Sequence, residues 1–328
     1  WYNESMSLRI VTKYQFEPNE IRKIQDSAPD ARVEIAIAKT PEEFRERLAS
    51  ADIVYGPVTG KDLEHAPNLK WVQWGSAGVD TMDAAVRSSP LVVTNMARVF
   101  APGIAETAMG MLLGLARGII TLYMPQFQRH QMRPVGTMKS ADHSELAGRT
   151  MGIVGMGGIG SAVARKARCG FDMRVVATDA KPIHKPEYVD EMHDAAWFPE
   201  MAPQVDVLVA AAPLTPSTNR MFNEAIFRSM KKTAYFMALS RGELFDDLAL
   251  VKALKEGWIA GACLDVFPQE PPPPEHPIFD CPNVAMTAHT SGWSEDRQLR
   301  LIDFFAQNVR RFAAGQPLLN IVDKQAGY

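Results

Sequence analysis

Apolar residues along this chain switch repeatedly between two spacings. Short runs rich in Val, Ile, Leu and aromatic residues at positions 8–12, 33–38, 52–55, 71–74 and 91–94 predict β-strands. Between them, residues 18–25, 41–48 and 81–86 carry apolar side chains at helical intervals. A long helical stretch from Gly103 is expected to end near Pro125, where proline forbids continuation. A polar, irregular segment follows at 129–145, with Pro134 and Gly136 inside it. A second alternating series begins at Thr150, with candidate strands at 151–154, 174–178, 205–211, 233–239, 260–265 and 284–287. An amphipathic helix at 295–313 precedes the tail. Such alternation implies parallel sheets with helices on their faces. Six strands after one glycine-rich turn suit a doubly wound nucleotide domain, so the second half reads as the cofactor domain. No repeat of fixed period appears, and the proline run 271–274 reads as a stiff extended connector.

Bulk properties narrow the picture. The 328 residues suffice for two domains with full cores, and 46% hydrophobic with 22% charged residues is ordinary for a soluble globular protein. A formal charge of −3 gives no electrostatic reason to expect nucleic acid or an anionic membrane as partner. The three cysteines, Cys169, Cys263 and Cys281, lack metal-ligand spacing, which predicts free thiols, no metal site and a reducing, cytoplasmic setting. Glu4, Arg9, Lys13, Glu17 and Glu20 leave no room for a signal-peptide core. The chain opens without a methionine, and Met6 reads as a native start. The nearest approach to a membrane span, residues 104–123, contains Glu106 and Arg117, so a buried helix between domains is the expectation.

The glycine-rich turn is Gly155-Met156-Gly157-Gly158-Ile159-Gly160. An apolar strand leads into it and a helix pattern opens at Gly158, the context a dinucleotide site requires. Gly155 permits the tight turn, Gly157 a close approach to pyrophosphate, and Gly160 close helix–strand packing. Asp179 lies 19 residues past Gly160, at the end of the next strand. A carboxylate there accepts hydrogen bonds from ribose hydroxyls and repels a 2′-phosphate, which favours NAD over NADP. Lys181, His184 and Lys185 follow closely and work against that preference. The competing reading of Asp179 is a solvated turn residue before Pro182, and spacing and context together outweigh it.

Three later residues sit just beyond strand ends. His289 follows the strand at 284–287, Glu270 follows the one ending at Asp265, and Arg241 follows the one ending at Leu239. Ligands in such sheets bind outside the carboxyl ends of the strands. A carboxylate bonded to imidazole fixes its tautomer and favours its charged form, so His289 can give a proton to a carbonyl oxygen as hydride arrives. The planar fork of Arg241 suits a carboxylate and can polarise the neighbouring oxo group. In isolation His289 reads as a core histidine and Arg241 as a helix-start ion pair with Glu243; their joint placement reverses that judgement. Asp265 reads equally as a contact for the nicotinamide amide or as a loop-capping aspartate. The loop Gly75-Ser76-Ala77-Gly78 offers backbone N–H groups to an anion, or is a plain strand–helix turn.

At this point the chain resembles the NAD-dependent D-isomer-specific 2-hydroxyacid dehydrogenases. The similarity is carried by Gly75-Ser-Ala-Gly-Val-Asp80, Ile104-Ala-Glu106, Gly148-Arg-Thr-Met-Gly-Ile-Val-Gly-Met-Gly-Gly-Ile-Gly160 and Pro213-Leu-Thr-Pro-Ser-Thr218. It continues through Ser240-Arg-Gly-Glu243, Leu264-Asp-Val-Phe-Pro-Gln-Glu-Pro271, Pro282-Asn-Val284 and His289, over most of the chain in the family's order. The resemblance implies a Rossmann nucleotide domain at 119–296 and a discontinuous flavodoxin-like α/β catalytic domain at 1–118 and 297–328. A hinge between them would close on substrate, and the nucleotide domains would build a homodimer. It also implies Arg241, Glu270 and His289 as the catalytic set. Ser76, Ala77 and Gly78 would hold the substrate carboxylate together with Arg241. The cofactor would meet the residues from Gly155 to Gly160, Asp179, Ala212, Pro213, Thr218, Ala238, Ser240, Arg241, Asp265, His289, Ser291 and Gly292.

There are departures from the family pattern. Many relatives carry tryptophan before the glycine-rich strand, where this chain has Arg133-Pro-Val-Gly-Thr-Met138. His289 is followed by Thr-Ser-Gly-Trp-Ser294 and the chain ends Val322-Asp-Lys-Gln-Ala-Gly-Tyr328, both resembling a glyoxylate/hydroxypyruvate-reductase-like branch. Trp293 is a candidate pocket wall favouring bulky or apolar 2-oxo acids. The expectation is NADH-dependent reduction of a small 2-oxo acid to a D-2-hydroxy acid, fading as the medium becomes basic enough to deprotonate His289. Phosphite oxidation with a similar triad, and a nucleotide-sensing scaffold of corepressor type, are the rival readings. A formate dehydrogenase would want glutamine at Glu270, and a phosphoglycerate dehydrogenase often has a regulatory extension.

Overall fold

Valine- and isoleucine-rich runs build two all-parallel sheets in the computed structural model, which describes residues 6–132, 137, 139 and 143–328. The first sheet holds β1 (Met6–Thr12), β2 (Ala31–Ile37), β3 (Ile53–Tyr55), β4 (Trp71–Gln73) and β5 (Val92–Thr94). Its order, β2-β1-β3-β4-β5, is that of flavodoxin-like sheets, with the direction of winding reversing between β1 and β3. Ile10, Val11, Val54, Trp71 and Val72 are fully buried, as expected of central parallel strands covered on both faces. The helix Arg297–Ala313 lays Phe305 against this sheet, with its ring 4.7 Å from Tyr55 and 5.7 Å from Trp71. A buried polar chain runs from the Trp71 indole N–H to the Thr94 hydroxyl (2.7 Å), and from that hydroxyl to Gln73 Oε1 (2.9 Å). Asn308 Nδ2 donates to the same Gln73 oxygen, so these interior polar groups are paired.

The second sheet holds β6 (Thr150–Val154), β7 (Arg174–Asp179), β8 (Glu191–Asp194), β9 (Val207–Ala210), β10 (Tyr235–Ala238), β11 (Gly261–Leu264) and β12 (Val284–Met286). Its order is β12-β11-β10-β9-β6-β7-β8, the doubly wound nucleotide-binding arrangement with one further strand. That makes seven strands where the pattern predicts six. The addition is β8, Glu191-Met-His-Asp, an edge strand paired only with β7. Its polar, half-exposed side chains give no period-2 apolar signal.

Two expectations about helices change. The stretch from Gly103 does not run to Pro125: the helix is Ala101–Ala116, and Gly118 breaks it at φ +67. A π-helical turn, Ile119–Tyr123, follows, and Pro125 sits in the first turn of the helix Met124–Gln128, where its missing N–H costs nothing. The expected helix at 81–86 is Ala84–Ser88, started by Asp83, whose Oδ1 accepts from the N–H groups of Ala85 and Val86.

Close contacts divide the chain into one unit that ends at Phe100 and takes in Ser294–Tyr328, and another, Ala101–Trp293. The sequence reading put the divisions at 118/119 and 296/297. The helix Ala101–Ala116 accounts for the first difference: it packs on the helix Gly158–Phe171 and on β11 and β12. Most of its residues are buried, which leaves it apolar nearly all round. No single helix among the described residues is long and apolar enough to cross a membrane. The segment 133–138, where many relatives carry tryptophan, lies outside the described residues apart from Thr137.

Candidate active site

Strand order turns chain order into a row. Along the carboxyl edge of the second sheet, the ends of β12, β11, β10, β9, β6 and β7 lie side by side. They lead in turn to His289, to Asp265 and Glu270, to Ser240 and Arg241, to Ala212 and Pro213, to the turn Gly155–Gly160, and to Asp179. Four strand spacings separate β7 from β11, roughly 19 Å at ~4.8 Å each.

The glycine turn fits a dinucleotide by three separate tests. Gly155 stands at φ +95, and a Cβ there would lie 2.7 Å from the backbone of Ala212. A Cβ at Gly160 would lie 2.0 Å from the Gly155 carbonyl oxygen, so the helix can approach its strand only without one. A Cβ at Gly157 would meet nothing within 4 Å: the protein does not need glycine there, but a ligand approaching the backbone would. Gly157 is also the cap of the helix Gly158–Phe171, and no side chain caps it. The first-turn N–H groups, Gly158 and Ile159 among them, are left for an anion.

Asp179 ends β7. One carboxylate oxygen accepts from the Met156 N–H (2.7 Å) and the other from the Lys181 N–H (2.8 Å). The negative charge is thus pinned against the glycine turn. The Ala212–Pro213 segment is braced from the next loop, where Thr218 Oγ1 donates to the Pro213 carbonyl (2.7 Å). Ser240 Oγ reaches the Ala212 carbonyl at 2.8 Å, tying the end of β10 to that of β9. Ala238, the last residue of β10, is buried, and its carbonyl accepts from the Asp265 N–H (3.0 Å).

The structure brings Glu270 and His289 together: His289 Nδ1 lies 2.8 Å from Glu270 Oε2. With the carboxylate charged, Nδ1–H donates and Nε2 is the nitrogen available for proton transfer. The other carboxylate oxygen, Oε1, accepts from the Phe267 N–H (2.9 Å), which fixes Glu270 in turn. Both side chains are partly exposed, and a cavity of about 320 Å³ opens beside them, walled by Phe267, Glu270, Met286 and His289 among others.

His289 holds its backbone at φ +56, a left-handed conformation that non-glycine residues adopt when their surroundings fix it. Asp265 supplies the support. Its Oδ1 accepts from Thr287 Oγ1 (2.7 Å) and from the N–H groups of Thr290 and Ser291 (3.1 Å each), and its Oδ2 accepts from the Ser291 hydroxyl. The Asp265 carbonyl accepts from the His289 N–H (2.8 Å). Buried at 3% exposure, this carboxylate caps the loop that carries His289. Asp265→Ala is expected to strand four donors and lower stability by about 3 kcal/mol, read from urea unfolding. A loss below about 0.5 kcal/mol would show that the clamp carries little. Ser291 and Gly292 are buried, with Ser291 O accepting from Thr107 Oγ1 (3.3 Å).

Arg241 leaves β10 in extended conformation, and its Nη1 donates to the Ser240 carbonyl (2.7 Å). Sequence reasoning missed its neighbour. A Cβ on Gly242 would fall 1.9 Å from the Phe267 carbonyl carbon. Glycine therefore lets the loop after β11, which carries Glu270, lie directly on the turn that carries Arg241. The only signal was the Arg-Gly pair itself. Thr287 and Thr290 were also missed, since nothing in their spacing announces a shared carboxylate.

In the first unit, the loop after β4 is shaped by three bonds. Ser76 Oγ donates to the Gly78 carbonyl (2.7 Å), Asn95 Nδ2 to the Ala77 carbonyl (2.8 Å), and the Met96 N–H to the Ser76 carbonyl (2.9 Å). The carbonyls are thereby occupied, while the N–H groups of Ala77 and Gly78 have no acceptor among the described residues.

Comparison with known proteins gives a consistent picture. Residues 109–291 match the family model of the D-isomer specific 2-hydroxyacid dehydrogenase NAD binding domain. The chain is similar to a glyoxylate reductase of Korarchaeum cryptofilum, 33% identical over 310 residues that cover 92% of this chain and 89% of that protein. Among solved structures it resembles an NADPH-dependent glyoxylate/hydroxypyruvate reductase from Sinorhizobium meliloti in complex with NADP and sulfate. The TM-score is 0.79 at 28% identity, covering 98% of this chain and all of that one (100%). It also resembles a D-isomer specific 2-hydroxyacid dehydrogenase from Xanthobacter autotrophicus in complex with NADPH and MES, with TM-score 0.80, 26% identity and coverage of 98% and 100%.

Proposed function

The chain belongs to the D-isomer specific 2-hydroxyacid dehydrogenase family, and from that premise we propose that it reduces a small 2-oxo acid to the D-2-hydroxy acid with NADH. The observation that carries the reading is the 2.8 Å pairing of His289 Nδ1 with Glu270, after the two strands next to that of Arg241 and on the same sheet edge as the glycine turn. Bound reduced nicotinamide supplies the hydride for C2. The residues do the rest. The Arg241 guanidinium binds the substrate carboxylate and draws charge onto the oxo oxygen. His289 delivers a proton from Nε2 to that oxygen, and Glu270, bonded at Nδ1, orients the ring. The free N–H groups of Ala77 and Gly78, with Ser76 shaping their loop, receive the carboxylate. The residues at Gly155–Gly160, Asp179, Ala212, Pro213, Thr218, Ala238, Ser240, Asp265, Ser291 and Gly292 hold the cofactor or the loops that meet it. Measuring NADH consumption with glyoxylate, hydroxypyruvate, pyruvate, 2-oxobutyrate and phenylpyruvate tests the reading. Tight NADH binding without turnover of any acid would favour the scaffold reading instead.

NAD is the proposed cofactor, because the Asp179 carboxylate sits where a 2′-phosphate would bring more negative charge. The two solved relatives were bound to NADP or NADPH, so the point is worth a direct comparison. NADH is expected to give the higher kcat/KM, and Asp179→Ala to narrow the gap by about tenfold, the effect of roughly 1.4 kcal/mol. A wild-type preference for NADPH would overturn the assignment.

A homodimer and a cytoplasmic setting complete the proposal. Ile119, Met124, Phe127 and Met132 are exposed at 48%, 47%, 73% and 70% within one short stretch, an apolar grouping suited to burial against a second copy. The three cysteines are free, in keeping with a reducing compartment. Sedimentation at micromolar concentration should give twice the 36.3 kDa chain mass, with Phe127→Asp shifting it to monomer; a wild-type monomer would contradict the dimer.

A further inference from the structure

The first unit carries its own cavity, of about 460 Å³, at the carboxyl ends of β1, β3 and β4. It opens at the β1/β3 junction, where winding reverses and a sheet of this order binds ligands. Gly75, the residue before the Ser76–Gly78 loop, is part of its wall. The loop with the Ala77 and Gly78 N–H groups therefore adjoins this cavity. Glyoxylate has no side chain to place there. The volume is that of a pocket for a larger ligand.

The wall chemistry is specific. Lys13 follows β1, Arg297 opens the last helix, and both line the cavity. Lys13 Nζ rests 4.6 Å from the centre of the Phe44 ring, so the ammonium stands over one of the cavity's aromatic walls. Tyr14, Tyr55 and Phe100 supply the remaining aromatic surface. Burial raises the Tyr55 hydroxyl well above the usual phenol range, and burial with the nearby Glu20 charge raises that of Tyr14, so both remain neutral donors. Glu20 and Glu17 are the acidic groups whose charges reach Tyr14, and Glu20 lies behind the cavity wall. It is buried, and its carboxylate is engaged by the Glu17 N–H (2.9 Å) and the Gln298 amide (2.8 Å). Two cations at an aromatic-walled cavity suit an anion better than a hydrocarbon.

We propose that this cavity is a subsite for a second anionic group on the substrate. The acid reduced is then a 2-oxo acid whose side chain ends in a carboxylate or phosphate, held by Lys13 and Arg297. This rests on the 2-oxo acid reductase reading above and names the substrate class within it. It departs from the expectation, drawn from Trp293, of a bulky or apolar side chain.

The test compares kcat/KM for 2-oxoglutarate and phosphohydroxypyruvate with that for 2-oxobutyrate and 2-oxoisocaproate, in wild type and in the Lys13→Met, Arg297→Met double variant. Wild type should favour a dianionic acid by about tenfold or more, and the double variant should remove most of that ratio. The preference should also shrink as salt rises from 20 mM to about 0.5 M, since partly exposed charges are screened. Preference for 2-oxoglutarate over phosphohydroxypyruvate, or the reverse, identifies the anion. Equal use of acids with and without a second anionic group, or an unchanged ratio in the variant, overturns the subsite and leaves the reductase reading intact. No turnover of any acid, glyoxylate included, sinks the reductase reading. The subsite is then judged by calorimetric titration of 2-oxoglutarate and phosphohydroxypyruvate into the protein: binding lost in the double variant supports it, and no binding by wild type overturns it.

Discussion

Arg241→Ala is expected to lower kcat/KM for 2-oxo acid reduction by about 10³-fold or more. Two contributions are lost together. The carboxylate loses a planar partner, and the oxo oxygen loses a cation as charge develops on it; removal of one preorganised donor at such an oxygen costs roughly 10²–10³ by itself. Arg241→Lys should recover little, because an ammonium cannot span carboxylate and oxo group with a fixed fork. Arg241 stands in extended conformation beyond β10, and Gly242 carries the close packing of this turn against the Phe267 carbonyl. Steady-state kinetics with an unfolding curve for each variant checks this. Turnover within about threefold of wild type would remove Arg241 from the mechanism, since such a change is worth less than 1 kcal/mol.

His289→Asn should lower kcat for reduction by about 10²–10⁴-fold, the range for loss of a positioned general acid. The pH dependence carries the sharper information. In wild type, reduction needs the protonated imidazole and falls toward alkaline pH, while oxidation of the hydroxy acid needs the neutral imidazole and rises in the same direction. In the variant the residual rate in each direction should lose that dependence. Glu270→Gln should give a smaller loss, because an amide can keep the 2.8 Å contact to Nδ1 that orients the ring. A wild-type reduction rate that stays flat to high pH, with chemistry rate-limiting, would count against His289 as proton donor.

Much of this site could be read from residue order because parallel sheets convert order into position. The glycine turn, Arg241, Glu270 and His289 each follow a strand with a clear apolar run, Asp179 ends one, and each lies at the carboxyl edge. What escaped the sequence depends on local polar or steric detail. Strand β8 has one apolar residue, Met192, among Glu191, His193 and Asp194, so pairing with β7 rather than pattern makes it a strand. The break at Gly118 was hidden because glycine is tolerated within helices, whereas Pro125 looked decisive yet begins the next one. The Asp265 clamp joins atoms 22 to 26 residues apart, and no spacing rule specifies which of several hydroxyls and N–H groups will turn toward one carboxylate. Gly242 is of the same kind: its need for a bare backbone comes from Phe267, on another strand's loop.

The central claim is direct hydride transfer to C2 of a 2-oxo acid with proton delivery to its oxygen. The most direct test is to incubate the protein with hydroxypyruvate and NADH deuterated at both C4 positions, then analyse the product by mass spectrometry and chiral chromatography. The account predicts D-glycerate carrying one deuterium at C2, formed in equal amount to the NAD produced. Unlabelled glycerate, the L-isomer, or NADH left unconsumed in the presence of this and the other 2-oxo acids would contradict it.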